Sequence, residues 1–351
     1  MYLTLMQIQW GTFPPKSNYT NNVDTDVSIQ HWEFFEDNPY YDYILSNYSV
    51  VNSDDRVYVV TKYSTSYPQQ LNETFIFHGN PNGGAWSPNI FDSTNSSNNA
   101  ERDNPYVIGH IAPQWNDYGA NTSTYLEAYY SWRNGLPALA DKQWGGNLSQ
   151  AEYGKVFDRL QSSAPAQNLD RVIKSKSSTI LHYNFNSFTQ GGVADQSGNG
   201  YHGKTDCTVA SALEIRSGCS LTTPLESKGE DYTLSFSVKP SSGALGPIFS
   251  GKDSILQSSN SSLDLVSGGY AYALNFSLPI GEWTEAKLVR SGNKTFFGAN
   301  GEPEREFLGR IGVNGERFEW VSMAINAPLH AIGGGDWEGD ISEVKLVDFA
   351  S

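Results

Sequence analysis

Cysteine is scarce in this sequence, with two residues among 351, and the six histidines are scattered singly. No cluster of Cys and His therefore has the spacing of a metal site. No glycine-rich loop opens a predicted helix, which argues against a nucleotide phosphate site. We expect neither a metal nor another cofactor.

Long apolar runs are absent as well, since a membrane-spanning helix needs about 20 apolar residues and no such stretch occurs. Positive charge is also scarce: there are 23 Lys and Arg against 38 Asp and Glu, which gives a formal net charge of −15. This imbalance argues against nucleic acid or an anionic membrane as a partner. Neutral or cationic ligands fit the charge better.

The start of the chain, Met1–Trp10, lacks the basic segment and the small-residue cleavage site of a signal peptide. Nine Asn-x-Ser/Thr sequons nonetheless point to the secretory route, and we expect an extracellular protein. In that compartment Cys207 and Cys219 are expected to form a disulfide. The sequons lie at Asn18, Asn47, Asn72, Asn95, Asn121, Asn147, Asn260, Asn275 and Asn293.

Residues 1–172 alternate short apolar runs with helical segments, a pattern typical of parallel strands joined by helices. Four such strand units are half of an eight-stranded barrel, so this part is predicted as the C-terminal half of a TIM (β/α)8 barrel. One helix start is especially clear, because Ser149 and Glu152 form a capping-box pattern. The predicted strands are Leu3–Trp10, Val27–Trp32, Ser49–Asn52 with Arg56–Val60, and Val107–Ala112.

From residue 175 to 351 the helical periodicity disappears, and short alternating runs are separated by Gly, Asn and Ser turns. This pattern predicts an antiparallel β-sandwich of the jelly-roll type, so the whole chain is expected to be α/β plus all-β. The segments Asp195–Gly203, Gly281–Thr284 and Gly339–Leu346 resemble laminin-G or concanavalin-like domains. Asp195 is either a turn residue or a calcium ligand.

The most informative stretch runs from Gly109 to Gly119 and is followed by an amphipathic segment, Glu127–Leu139. Its apolar run ends at Trp115 and Asp117, which places an indole and a carboxylate where a barrel would present its site. A flat apolar face beside a hydrogen-bonding carboxylate suits a sugar ring. The aromatic content of 13% agrees with a carbohydrate site, although most aromatic residues are expected in the core.

The order of these residues resembles the end of the catalytic barrel in glycoside hydrolase family 20, the β-N-acetylhexosaminidases and lacto-N-biosidases. The resemblance covers about residues 5–160, and four segments match barrel strands five to eight. It implies a secreted, exo-acting hydrolase that releases terminal N-acetylhexosamine, or a related disaccharide, from glycans or chitin oligosaccharides. In that reaction the acetamido group of the substrate is itself the nucleophile. The matching segments are Ile8–Trp10, Ile29–Trp32, Arg56–Tyr58 and Gln114–Asp117.

The resemblance also implies roles for individual residues. Tyr58 matches the catalytic tyrosine whose hydroxyl contacts the acetamido oxygen, and Asp117 matches the acidic residue that binds the outer sugar hydroxyls. Trp32 and Trp115 match the indoles that wall the acetamido group and stack under the ring. Two further substrate-binding candidates, each either at the pocket rim or in the core, are Trp10 and His31.

The chain departs from the family in two ways. Val60 stands where many hexosaminidases carry Asp, and nowhere does Asp directly precede Glu, although the family's Asp-Glu pair supplies the general acid. The first strand already matches strand five, so the resemblance implies a missing N-terminal half of the barrel as a partner and an inactive chain on its own. Two alternatives stay open: a non-catalytic carbohydrate-binding protein whose sandwich acts as a lectin, and a structural fragment without activity.

Overall fold

A computed structural model of the protein divides into two compact units, which are described separately. The first comprises Met1–Asp117 and Tyr130–Gln161, and the second comprises Tyr118–Tyr129 and Ser162–Ser351. Among the described helices, none is long and apolar enough to cross a membrane. The described residues are 8–10, 24–31, 43–57, 59–62, 67–80, 90, 92, 95–161, 169–189, 191–260, 262–313 and 315–351.

Short strands and helices make up the first part of the chain. The capping box predicted for the last helix is formed, because the Glu152 N–H donates to Ser149 Oγ and the Ser149 N–H donates to the Glu152 carboxylate. The strands are β1 (Ile8–Trp10), β2 (Ser28–His31), β3 (Val50–Asn52), β4 (Val59–Val60), β5 (Val107–His110) and β6 (Gln114–Trp115). The helices are α1 (Glu73–His78), α2 (Tyr125–Trp132), α3 (Gly135–Gln143) and α4 (Gln150–Gln161), with 3-10 turns at Asp55–Val57 and Ser96–Asn98.

Four of these strands form one parallel sheet in the order β1-β2-β3-β5. The two-residue strands β4 and β6 form a separate parallel pair. Ile29 and Val50 at the centre of the sheet are fully buried and pack against Tyr43 and Tyr48. Apolar side chains on adjacent parallel strands thus form a small core on one part of the first unit.

The prediction of half a (β/α)8 barrel is wrong. Arg56 and Val57, which were expected in the seventh barrel strand, lie in a 3-10 turn. The turn forms because Asn52 Oδ1 accepts the Asp54 N–H at 2.9 Å and Asp54 Oδ1 accepts the Arg56 N–H at 3.0 Å, so side chains bend the backbone where β3 ends. Moreover, among the described residues no regular helix separates β3 from β4 or β5 from β6, so the strand–helix alternation of a barrel is not present.

The second unit is built from antiparallel strands, as the alternating runs of the second half predicted. Its strands are β7 (Thr179–Tyr183), β8 (Phe188–Thr189), β9 (Gly192–Val193), β10 (Gly203–Thr205), β11 (Thr208–Val209), β12 (Leu213–Ile215), β13 (Ser220–Thr222), β14 (Ser227–Lys228), β15 (Tyr232–Pro240), β16 (Gly246–Ser250), β17 (Ile255–Ser259), β18 (Ser262–Ser267), β19 (Tyr270–Leu274), β20 (Thr284–Ser291), β21 (Lys294–Ala299), β22 (Arg305–Glu306), β23 (Leu308–Val313), β24 (Arg317–Ser322), β25 (Ala327–Pro328), β26 (Ala331–Gly333) and β27 (Gly339–Val347).

Two large sheets enclose the core of the second unit. One has the order β19-β18-β17-β16-β26-β13-β10-β9-β8, and the other has the order β11-β12-β27-β15-β20-β21-β22, with β7 also pairing with β27. The pairs β14–β25 and β23–β24 are separate two-stranded sheets. Phe236 of one large sheet packs against Phe249 of the other, with ring centroids 4.7 Å apart. This is a sandwich-like arrangement, with apolar side chains filling the space between the sheets.

A segment from the middle of the chain, residues 118–129, belongs to the second unit rather than the first. Thr124 Oγ1 donates to the Ala324 carbonyl at 2.7 Å, and the Ala324 N–H donates to Glu127 Oε1 at 2.8 Å. Thr124 and Glu127 also bond reciprocally at the start of α2, in the manner of a capping box. The second unit is therefore assembled from two separate stretches of sequence.

Cys207 and Cys219 form a disulfide in the second unit, with their Cα atoms 5.2 Å apart. It connects the residue that precedes β11 to the residue that precedes β13. Because the closed loop is short, the link is expected to add at most about 3 kcal/mol of local stability.

Asp195 is the centre of a turn rather than a free carboxylate. Its two oxygens accept hydrogen bonds from the His182 N–H (3.1 Å), the Ser197 N–H and hydroxyl (2.9 and 2.7 Å) and the Tyr201 N–H (3.0 Å). Burial opposes ionisation, but these hydrogen bonds outweigh it and hold the pKa of Asp195 below its ordinary value. Both oxygens are thus occupied by donors from the protein, which identifies Asp195 as the turn residue of the two alternatives.

We predict that Asp195→Asn lowers the free energy of unfolding of the second unit at pH 7 by about 1–3 kcal/mol, because charge-assisted hydrogen bonds are lost. Since the folded pKa is depressed, the parent's advantage is complete above the unfolded pKa of about 3.9 and disappears as pH falls through the folded value. Urea unfolding at pH 7 and at pH 3 measures both effects. The exposed Asp348→Asn is the control, and an equal loss in the two variants would contradict the role of Asp195.

Candidate functional site

The carboxyl edge of the parallel sheet in the first unit brings three polar residues into one row. His31 on β2 is in register with Asn52 on β3, and Asn52 is in register with His110 on β5. Residues in register on parallel neighbours point to the same side of the sheet, and adjacent strands lie about 4.8 Å apart. Ligands of open parallel sheets bind at this edge, which makes the row a candidate site.

A buried ion pair lies beside this row. Arg56 Nε and Nη2 each donate to one oxygen of Asp54 at 2.5 Å, and Asp54 is 2% exposed. Burial raises the pKa of Asp54 more than the hydrogen bonds from Arg56 lower it. Arg56 Nη1, in contrast, is buried and has no hydrogen-bond partner among the described residues.

Both histidines of the row are uncharged at neutral pH. Burial, and secondarily the positive charge of Arg56, lowers the pKa of His31 and of His110 to about 3. The two ring nitrogens of His110 are buried without a hydrogen-bond partner in the described part of the chain. The edge is therefore polar but close to neutral in charge, and it carries unused hydrogen-bonding capacity.

The residues predicted from the family resemblance are only partly placed. Tyr58 and Trp32 lie outside the described residues, and so does the side chain of Trp10, which ends β1. Their convergence with Asp117 on one sugar-sized cavity stays a prediction. His31 is 1% exposed, which places it in the interior rather than at a rim.

Trp115 and Asp117 both face solvent. Trp115 on β6 is 41% exposed, and Asp117 lies in the exposed turn that follows. Two cavities of the first unit lie elsewhere: one of about 680 Å³ beside the start of α1, and an apolar one of about 560 Å³ between α3 and α4. Neither Trp115 nor Asp117 lines them.

The second unit presents an aromatic surface that the sequence reasoning did not single out. On the β23–β24 hairpin, Phe318 is 67% exposed and Trp320 is 65% exposed. Arg310 lies opposite Trp320 and Gly312 lies opposite Phe318, so all four residues share one face. The guanidinium of Arg310 lies 4.3 Å from the centroid of the Phe318 ring. We call these four residues the aromatic face.

A sequence signal for this hairpin was available. Asn314-Gly315 is a strong turn signal, and it separates two runs whose residues alternate in polarity. The other face of the hairpin is buried through Ile311 and Val313, which are 0% and 6% exposed. Because alternate residues of a strand point to opposite sides, burial of those two residues turns Phe318 and Trp320 outward.

The base of the hairpin is fixed by hydrogen bonds to the backbone of residues 323–325. Thr295 Oγ1 donates to the Met323 carbonyl at 2.8 Å and accepts the Ile325 N–H at 3.0 Å. The hydroxyl of Tyr232 donates to the Ile325 carbonyl at 3.0 Å. The aromatic face is therefore carried by a well-anchored element.

No protein-family model matches this sequence, and no curated protein sequence matches it. Distantly similar solved structures include the receptor-binding domain of botulinum neurotoxin D, at 13% identity and a TM-score of 0.35, with 50% of each chain covered. A botulinum neurotoxin serotype D ligand-binding domain in complex with N-acetylneuraminic acid has 11% identity and a TM-score of 0.34, covering 50% of this chain and 48% of that one. Trypanosoma rangeli sialidase has 11% identity and a TM-score of 0.35, covering 57% and 37%.

This chain spans half or less of the length of those structures. TM-scores below 0.5 at such identities assign neither a fold nor a function to it. The matched structures are β-rich binding domains and sialidases.

These findings contradict the resemblance to glycoside hydrolase family 20. No family model supports it, and the described residues of the first unit lack the topology of half a barrel. The implied hexosaminidase, with N-acetylhexosamine as its substrate, depended on that resemblance and loses its support. The lectin-like alternative did not depend on it.

We predict that the first unit loses stability as pH falls below about 6.5, because unfolded His31 and His110 take up protons that the folded chain, with pKa values of about 3, does not. Stability is complete above 6.5 and declines by up to about 1.4 kcal/mol per pH unit for each histidine until about pH 3. Hydrogen exchange of peptides from the first unit, measured as a function of urea concentration at pH 7, 6 and 5, gives the unfolding free energy at each pH and so its slope.

His110→Asn removes one of the two histidines, so we expect the dependence of the unfolding free energy on pH to become about half as steep. The exposed His78→Gln is expected to leave this dependence unchanged. A slope that is unchanged in His110→Asn would show that His110 is protonated in the folded state or reaches water.

Proposed function

We propose that this chain is a carbohydrate-binding protein and that the aromatic face of the second unit is its glycan-binding surface. One observation carries the proposal: two aromatic rings, 67% and 65% exposed, stand two residues apart on the same side of β24. Large aromatic side chains are usually buried, so an exposed pair indicates a contact surface. The flat face of a ring suits the C–H face of a pyranose.

Polar groups beside the rings support the same proposal. The guanidinium carbon of Arg310 lies 4.3 Å from the centroid of the Phe318 ring, so hydrogen-bond donors stand beside the apolar ring. Gly312, opposite Phe318, carries no side chain, and a Cβ there would lie 3.9 Å from the Phe318 ring. An apolar platform with donors at its rim is the usual composition of a small-ligand site.

The anchored base of the hairpin adds to the argument. A two-stranded hairpin alone is marginally stable, but this one is held by the buried Ile311 and by hydrogen bonds to Thr295 and Tyr232. Rings on a rigid element lose little freedom on binding, which favours affinity. An anionic membrane is a poor alternative partner because the net charge is −15.

We predict that Phe318→Ala and Trp320→Ala each weaken glycan binding about tenfold or more, since loss of a central aromatic contact commonly costs over 1.4 kcal/mol. A glycan array with the full chain identifies ligands, and isothermal titration calorimetry on the best of them gives the dissociation constants of the variants.

Phe188→Ala is the matched control, because Phe188 is 57% exposed on another strand of the same unit. Equal losses in all three variants would contradict the proposal. So would binding to phosphatidylcholine vesicles, without any glycan binding, that disappears in Phe318→Ala and Trp320→Ala.

We also propose that the protein is extracellular and carries N-linked glycans on the second unit. The sequon residues Asn260, Asn275 and Asn293 are exposed in that unit. Expression in a eukaryotic secretory host, followed by peptide mass spectrometry, is expected to find at least these three sites occupied. Retention of the chain inside the cell with all three unmodified would contradict the secretory assignment.

A further inference from the structure

Arg310 differs from the other arginines of the second unit in its lack of a carboxylate partner. Among the described residues of that unit, five arginines lie within 4.0 Å of a carboxylate oxygen, and Arg310 does not. The five pairs are Arg171–Asp253, Arg216–Asp340, Arg290–Asp231, Arg305–Glu302 and Arg317–Glu319.

The lack of a partner is notable in a chain with 38 acidic and 23 basic residues. Acidic side chains are available nearby, since Glu319 is on the same hairpin but pairs with Arg317 at 2.8 Å. Glu319 and Arg310 lie on opposite faces of the hairpin, because Glu319 is in register with Ile311 whereas Arg310 is in register with Trp320. The alternation of the strand therefore keeps the guanidinium away from that carboxylate.

Stacking on Phe318 holds the guanidinium in place without using its donors. The carbon of the guanidinium lies 4.3 Å from the ring centroid, so the contact is cation–π. The N–H groups lie in the plane of the guanidinium and can bind both oxygens of one carboxylate in a bidentate pair. Trp320, directly opposite Arg310 on the neighbouring strand, supplies an apolar surface at the same place.

We propose that the aromatic face recognises a sugar that carries a carboxylate, such as a sialic or uronic acid, with Arg310 binding the carboxylate and Trp320 stacking on the ring. The inference rests on the proposed function and names the ligand class of the same surface. Carboxylate and pyranose ring are joined in such a sugar, so one monosaccharide fits the two neighbouring side chains.

The acidic net charge of the chain does not oppose this local preference. At an ionic strength of 0.15 M, charges further than about 8 Å from the ligand are largely screened, whereas a contacting guanidinium is not. The carboxylate of Glu319, on the same hairpin, is neutralised by Arg317. The distant acidic residues lower the rate of encounter more than they weaken the contact.

The test uses the full chain and matched pairs of ligands: 3′-sialyllactose against lactose, and a glucuronic-acid-terminated disaccharide against its glucose counterpart. We expect the acidic member of at least one pair to bind about tenfold more tightly, and this preference to shrink between 0.05 and 0.5 M NaCl. Arg310→Gln is expected to remove the preference, so that the acidic and the neutral member of each pair bind with equal affinity. Arg310→Lys keeps the charge but not the planar pair of donors, so it is expected to keep only part of the preference.

Arg317→Gln is the control, because it removes a positive charge from the same hairpin that is already paired. An equal affinity for acidic and neutral sugars in the parent, or an unchanged preference in Arg310→Gln, would overturn the inference and leave the proposed function intact. Absence of binding to every sugar would instead overturn the proposed function. Loss of the preference in Arg317→Gln as well as in Arg310→Gln would show a general charge effect and contradict the role of Arg310.

Discussion

The second unit depends on strand β15, where two neighbouring strands and the opposite sheet meet. Its residues pair with β20 from Tyr232 to Val238 and with β27 from Thr233 to Pro240, so hydrogen bonds run along both edges. Its apolar side chains close the core against the other sheet. Displacing either neighbour would expose buried peptide groups without partners, at about 1–3 kcal/mol for each group. Every element bonded to β15 is therefore fixed in position by the core.

The position of the aromatic face is fixed through a hydrogen bond from β15. The hydroxyl of Tyr232, at the start of β15, reaches the Ile325 carbonyl just after the hairpin. That tyrosine is fully buried, so its hydroxyl needs a partner inside the protein, and the backbone of residue 325 supplies it. A polar requirement of the core thus sets the position of an exposed surface. The rings of Phe318 and Trp320 can face water because the opposite side of the hairpin is buried.

Local patterns in the sequence predicted the second unit better than the first. Alternating runs with Gly and Asn turns identified antiparallel strands, since each strand of a sandwich has one buried face. In the first unit the apolar runs were found, but their pairing was not, because the sequence does not show which strands are neighbours. Asn52 and Asp54 ended β3 through side-chain hydrogen bonds to the backbone, which a count of apolar residues cannot detect. Phe318 and Trp320 were overlooked because aromatic residues were assigned to the core unless a family pattern indicated otherwise.

The hydrogen bond from Thr124 to Ala324 joins residues 200 positions apart in the sequence. During synthesis at about 5–20 residues per second, the segment around Thr124 is therefore made some 10–40 s before the backbone segment with which it pairs. Throughout that interval, the segment lacks the Ala324 backbone to which it is hydrogen-bonded in the folded unit. The unit can reach its final packing only after the backbone around Ala324 has been translated. In this chain, the interval between the synthesis of residue 124 and that of residue 324 sets the earliest time at which folding of the second unit can finish.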